Sequence, residues 1–183
     1  MKIGLINIEP KIFNTAYMQI AEYYRNSCID VNWVSPLEYD KCDELYCSSL
    51  FTFTDKSQVP TRAIRGGTGY DIKKKLNTGI ARASLDYTIY PKCKTSYIWF
   101  SRGCIRNCSF CIVRRKEGNI RPVKANPNKY LNHDGKYITV MDNNFFANPK
   151  WEQAIWWLEN MHQPLDFQGV PFLINSCSTR SLR

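Results

Sequence analysis

Apolar residues run almost unbroken through residues 2–8, as they do in a strand buried on both faces of a parallel sheet. Phe13, Ala16, Tyr17, Ile20 and Tyr24 then recur at helical spacing behind Asn14, a good N-cap residue. Val31–Val34 reads as a second strand stopped by Ser35-Pro36, and Leu45–Phe53 as a third. Ala63-Ile64 leads into the turn Gly66-Gly-Thr-Gly-Tyr-Asp71. Strand, helix, strand and glycine turn predict a small parallel α/β layer.

The pattern weakens over residues 71–95, which carry Lys73-Lys74-Lys75 and Pro91 and read as a connector with at most a short helix. It resumes with a strand at Ser96–Phe100 that feeds straight into Ser101-Arg-Gly-Cys-Ile-Arg-Asn-Cys-Ser-Phe-Cys-Ile-Val113. Residues 112–130, with Pro122 and Pro127, read mostly as loop. Asp134-Gly135 marks a turn before a strand at Lys136–Met141. Asn148-Pro149 then opens a helix whose stripe is Trp151, Ala154, Ile155, Leu158 and Met161, and Phe172–Ile174 begins another strand.

Composition narrows the class. The chain has 183 residues, 44% of them hydrophobic, enough for a core. No run approaches the roughly 20 apolar residues of a membrane span, and the start is too short and too soon charged (Glu9) for a signal peptide. A cytoplasmic protein without membrane partners is expected. The formal charge of +9 favours anionic partners, nucleic acid among them. Of eight cysteines, Cys28, Cys42, Cys47, Cys93 and Cys177 are scattered and read as ordinary thiols.

Cys104, Cys108 and Cys111 are different. They form a C-x3-C-x2-C loop, and three such close thiols suit a metal rather than a disulfide framework. Structural zinc needs four ligands, usually in paired C-x2-C sets. The fourth is missing nearby: Cys93, upstream of the loop, could supply it, whereas His133, the nearest following histidine, fits a turn better. Plant-type iron–sulfur loops differ by one residue in spacing. Arg102, Arg106, Arg114 and Arg115 could offset thiolate charge, and Gly103 would let the backbone turn tightly.

A C-x3-C-x2-C loop after a β-strand resembles the signature of the radical S-adenosylmethionine (SAM) superfamily. The resemblance implies that Cys104, Cys108 and Cys111 bind a [4Fe–4S] cluster, with SAM chelating the fourth iron. It puts Phe110 near the SAM adenine, and Asp142, Asn143 and Asn144, at the end of the next strand, near the SAM amino group. It further implies reductive SAM cleavage to a 5′-deoxyadenosyl radical, with flavodoxin or ferredoxin as electron donor. The substrate stays open. The alternative is a non-catalytic zinc or iron–sulfur module, or an inactive fragment, that binds nucleic acid.

Gly66–Asp71, Asp86-Tyr87, Tyr90-Pro91 and Met141–Phe146 are also similar to a bacterial and phage group. Its members join a cobalamin-binding-like domain to a radical SAM core. The implied layout is a Rossmann-like α/β unit at 1–75, a connector at 76–95, the first part of a partial (β/α)6 barrel at 96–170 and a divergent tail at 171–183. Cobalamin itself is not expected, because no D-x-H-x-x-G run is present. The departure of residues 171–183 from the family pattern suggests a truncation that leaves an unpaired strand edge, with poor solubility or dimerisation as the consequence.

Overall fold

The structure is a computed structural model and describes residues 1–169. It is a mixed α/β protein with two parallel sheets. The first is built from β1 (Lys2–Ile6), β2 (Asp30–Trp33), β3 (Glu44–Ser48) and β4 (Ile64–Gly66), in the order β2-β1-β3-β4. Helix α1 (Thr15–Arg25) crosses from β1 to β2, and the Asn14 side chain caps it by accepting from the Ala16 amide at 3.0 Å. Tyr17 on α1 ties β1 to β3. Its hydroxyl donates to the Ile6 carbonyl and accepts from the Ser48 amide at 2.7 Å.

The third strand is shorter than the apolar run Leu45–Phe53 predicts. The cause lies forty residues upstream. The Glu9 carboxylate accepts from the Leu50 amide at 2.9 Å, from Ser49 Oγ at 2.9 Å and from Thr54 Oγ1 at 2.6 Å, which folds residues 49–54 into a loop. Gly67 (φ +86°) and Gly69 press on that loop. A Cβ on either would stand about 2 Å from a backbone oxygen, 2.2 Å from that of Ser49 and 2.3 Å from that of Phe51. The glycine run is therefore a packing device here.

Residues 76–95 are a packed connector rather than a loose one. A short helix, α2 (Thr78–Ala81), is followed by Leu85, Ile89, Tyr90 and Cys93, all buried. The motif residues of this stretch fasten the molecule together. Asp86 pairs with Arg25 at 2.5 Å, Tyr87 donates to the Tyr130 carbonyl at 2.8 Å, and Tyr90 accepts from the Asn14 amide at 3.3 Å.

The second sheet contains β5 (Thr95–Ile98). After it come β6 (Ser101–Arg102), α3 (Val113–Glu117) and β7 (Arg121–Pro122), where loop was expected; β6 and β7 pair antiparallel. Then β8 (Tyr137–Val140), α4 (Trp151–Met161) and β9 (Leu165–Phe167) complete a parallel sheet of order β5-β8-β9. Helix α4 starts after, not at, the Asn148-Pro149 pair, because Asn148 Oδ1 caps a preceding turn by accepting from the Lys150 amide at 3.1 Å. Strand β9 lacks a sequence signal of its own, and the strand expected at Phe172–Ile174 lies outside the described residues. One core serves both sheets, with Ile3, Leu5 and Met18 on one side and Ile98, Ile138, Phe145 and Leu158 on the other. Among the described residues no helix is long and apolar enough to cross a membrane.

Candidate metal centre

Strands β5 and β8 are parallel and in register from Thr95–Tyr137 to Ile98–Val140, so their C-terminal ends share one rim of the sheet. The Cys loop leaves from the first and Asp142-Asn143-Asn144 from the second. Asp142 joins the two. Its Oδ1 accepts from the Phe100 amide at 2.8 Å and its Oδ2 from the Ser101 hydroxyl. At 1% exposure, burial pushes the carboxyl above its ordinary range, and the Ser101 and Phe100 hydrogen bonds pull only part of the way back. Asp142 is thus a fastener that fixes where the loop begins.

Gly103 makes the turn that follows. Its φ is +83°, and a Cβ there would stand 2.3 Å from the Asn119 carbonyl oxygen, so no other residue fits without displacing the Gly118-Asn119 backbone. The Gly103 amide donates to Glu117 Oε2 at 2.9 Å. Glu117 also receives Arg102 at 3.3 Å and Asn143 Nδ2 at 3.1 Å. It locks the start of the Cys loop, the helix after it and the end of β8 into one unit. Sequence reasoning passed over Glu117. Its signal was available: it is the lone acid among seven basic residues in 102–124.

The three thiols are free and half-buried. Two N–H groups approach Cys104 Sγ, the Arg106 amide at 3.4 Å and Asn144 Nδ2 at 3.9 Å. Arg114 donates to the Cys104 carbonyl at 2.8 Å, and the Cys111 amide donates to the Cys108 carbonyl at 3.1 Å. Phe110 is 89% exposed beside Cys111, an open face for a flat ring. Asn144 is buried beside Cys104, and Asn143 is held on Glu117. Cys104, Asn143 and Asn144 therefore meet at one rim, while Asp142 sits behind them.

Two other candidates fall away on geometry. Cys93 precedes β5, whereas the loop follows it, with a four-residue strand of roughly 13 Å between them. Its thiol is buried against the Thr95 carbonyl, and burial pushes its pKa up. His133 lies in the turn closed by the Gly135 amide on the Asn132 carbonyl.

The donor set suits an iron–sulfur cluster. Three soft thiols, with N–H donors at one sulfur, are the ligand chemistry that such a cluster takes. Among the described residues no three His, Cys, Asp or Glu side chains gather closely enough to hold a single ion. The chain matches no family model, no curated protein and no solved structure.

Proposed function

We propose that this is a radical SAM protein whose Cys104, Cys108 and Cys111 hold three irons of a [4Fe–4S] cluster. The observation that carries the reading is a C-x3-C-x2-C loop of free thiols at the C-terminal rim of a parallel sheet, beside Asn143 and Asn144. The order β5-β8-β9 is compatible with the first part of a partial (β/α)6 barrel, and the N-terminal sheet with a Rossmann-like unit. Held by Cys104, Cys108 and Cys111, the cluster would supply one-electron reduction of SAM, with a flavodoxin or ferredoxin as electron source and 5′-deoxyadenosyl radical chemistry as the result.

The chain's own residues have defined tasks. Asp142 fixes the entrance of the loop, and Glu117 ties that entrance to the helix that follows the loop. The Arg106 amide and Asn144 Nδ2 donate to Cys104 Sγ and set its direction. The amide oxygens of Asn143 and Asn144 supply acceptors for the SAM ammonium. Phe110 offers a stacking face for the adenine. Asp142, with both oxygens engaged, positions these groups and does not itself take the ligand.

The test is anaerobic reconstitution of the full chain with iron and sulfide. Iron and sulfide should load in equal amounts, about four of each, and reduction should give a paramagnetic signal that SAM perturbs. Changing Cys104, Cys108 or Cys111 to Ala should abolish loading, and SAM should yield 5′-deoxyadenosine. One zinc without sulfide would overturn the reading in favour of a structural metal module. A loaded cluster that leaves SAM intact would reduce it to an inactive cluster-bearing fragment.

A further inference from the structure

On the outer side of the second sheet, the segment Pro122–Pro127 and helix α4 enclose a groove of about 700 Å³. Three of the chain's five tryptophans line it. Trp99 is fixed beneath Arg102, whose guanidinium lies 4.6 Å from the ring centre, and Trp157 is fixed by its Nε1–H to Asn128 at 2.9 Å. Trp156 is not fixed in this way. The residue is 66% exposed. Lys150, Gln153 and Trp156 follow one another at three-residue spacing up one wall, and Lys124 stands exposed on the other.

No acid lines the groove; Glu152 lies on α4 but outside the lining. Along the chain, basic residues continue into the Cys loop. Residues 102–124 hold seven Arg or Lys against Glu117 alone, and Arg106, Arg115, Arg121 and Lys124 are exposed. Glu117 is already spent on Arg102, Gly103 and Asn143.

Charge alone would suit any polyanion, including an acidic protein. The aromatic content decides between them. An acidic protein surface answers the cations, but its carboxylates are repelled by the negative face of an exposed indole. A single-stranded nucleic acid needs both, because its phosphates seek the cations and its unpaired bases stack on flat rings whatever their sequence. We infer that this groove binds a single-stranded polynucleotide, with the backbone along Arg121, Lys124 and Lys150 and a base stacked on Trp156. The inference does not depend on what the Cys loop holds. If both hold, the strand runs from the groove toward Cys104–Cys111, which makes a polynucleotide the candidate substrate class.

The experiment is fluorescence anisotropy with a labelled oligouridine of about twelve nucleotides, within the usual site size, on the full 183-residue chain. Binding should weaken steeply with salt, and Lys124→Gln should lower the logarithmic salt slope by about 0.7. Trp156→Ala should weaken binding about tenfold, and Trp156→Phe should restore most of it. A duplex of equal length, whose bases are already stacked, should bind more weakly. Trp156 is exposed, so circular dichroism of both variants should match the parent. No binding, binding indifferent to Trp156→Ala, or polyglutamate competing as well as the oligouridine would each overturn the proposal. The last two results would mark a general anion surface or an acidic-protein dock instead. Because the assay reads binding without iron or SAM, its failure leaves the cluster reading untouched.

Discussion

Glu9, after β1, and Asp142, after β8, occupy corresponding places in the two parallel sheets. Each carboxylate sits at the C-terminal rim and reaches to the loop that follows the neighbouring strand. Around Glu9 the donors are many: two hydroxyls and the Leu50 and Phe51 amides. Burial pushes Glu9 up, but the hydrogen bonds from Thr54, Leu50, Ser49 and Phe51 together outweigh it, and its pKa falls below the ordinary value. Around Asp142 the donors are Phe100 and Ser101, burial is nearly complete, and desolvation wins. The first carboxylate ties down a whole loop. The second ties only the entrance of its loop and leaves three thiols unspent.

The comparison can be broken by mutation. Asp142→Ala should have the largest effect, about 2–3 kcal/mol in chemical denaturation, because it strands the Phe100 amide and Ser101 hydroxyl away from water. Asp142→Asn keeps an acceptor for Phe100 and should recover most of that loss. If Ala and Asn cost the same, Asp142 is not a fastener. Glu9→Ala removes more hydrogen bonds, yet at a half-exposed rim where water can replace them, so about 1–2 kcal/mol is expected.

The smallest effect is the most discriminating, because its sign differs. Glu9 is lowered from 4.5, so its stabilisation is present above that pH and is lost as pH falls through its folded value. The stability gap between parent and Glu9→Gln should therefore shrink on acidification. Asp142 is raised from 3.8, so the folded state holds its proton longer than the unfolded state. The contribution is greatest below 3.8 and is lost as pH rises through the folded value. The gap between parent and Asp142→Asn should widen on acidification. Denaturation midpoints from about pH 3 to pH 6 measure both, and slopes of equal sign would end the comparison.

What the sequence made legible was local. The strand Lys2–Ile6 is visible in the mostly apolar run of residues 2–8, the α1 cap in Asn14, and the Cys loop in its spacing. What it hid depends on partners far along the chain. Ser49–Phe53 has strand composition and fails to be a strand because Glu9 captures its amides. Residues 76–95 look like a linker because their apolar residues are dispersed, yet each of Ile80, Leu85 and Ile89 finds the common core. Asp142 was legible as part of a polar strand end, whereas its inward role required knowing that β5 lies beside β8.

Helix α3 begins two residues after Cys111 and carries Lys116 across to the Thr68 hydroxyl, inside the glycine run of the first sheet. The ammonium is half-buried there, and burial lowers its pKa. The stretch that bears the thiols is thus anchored at its far end on the other half of the molecule. Trimming away the N-terminal residues would not liberate a self-sufficient sulfur-bearing module; it would cut that stretch from its moorings.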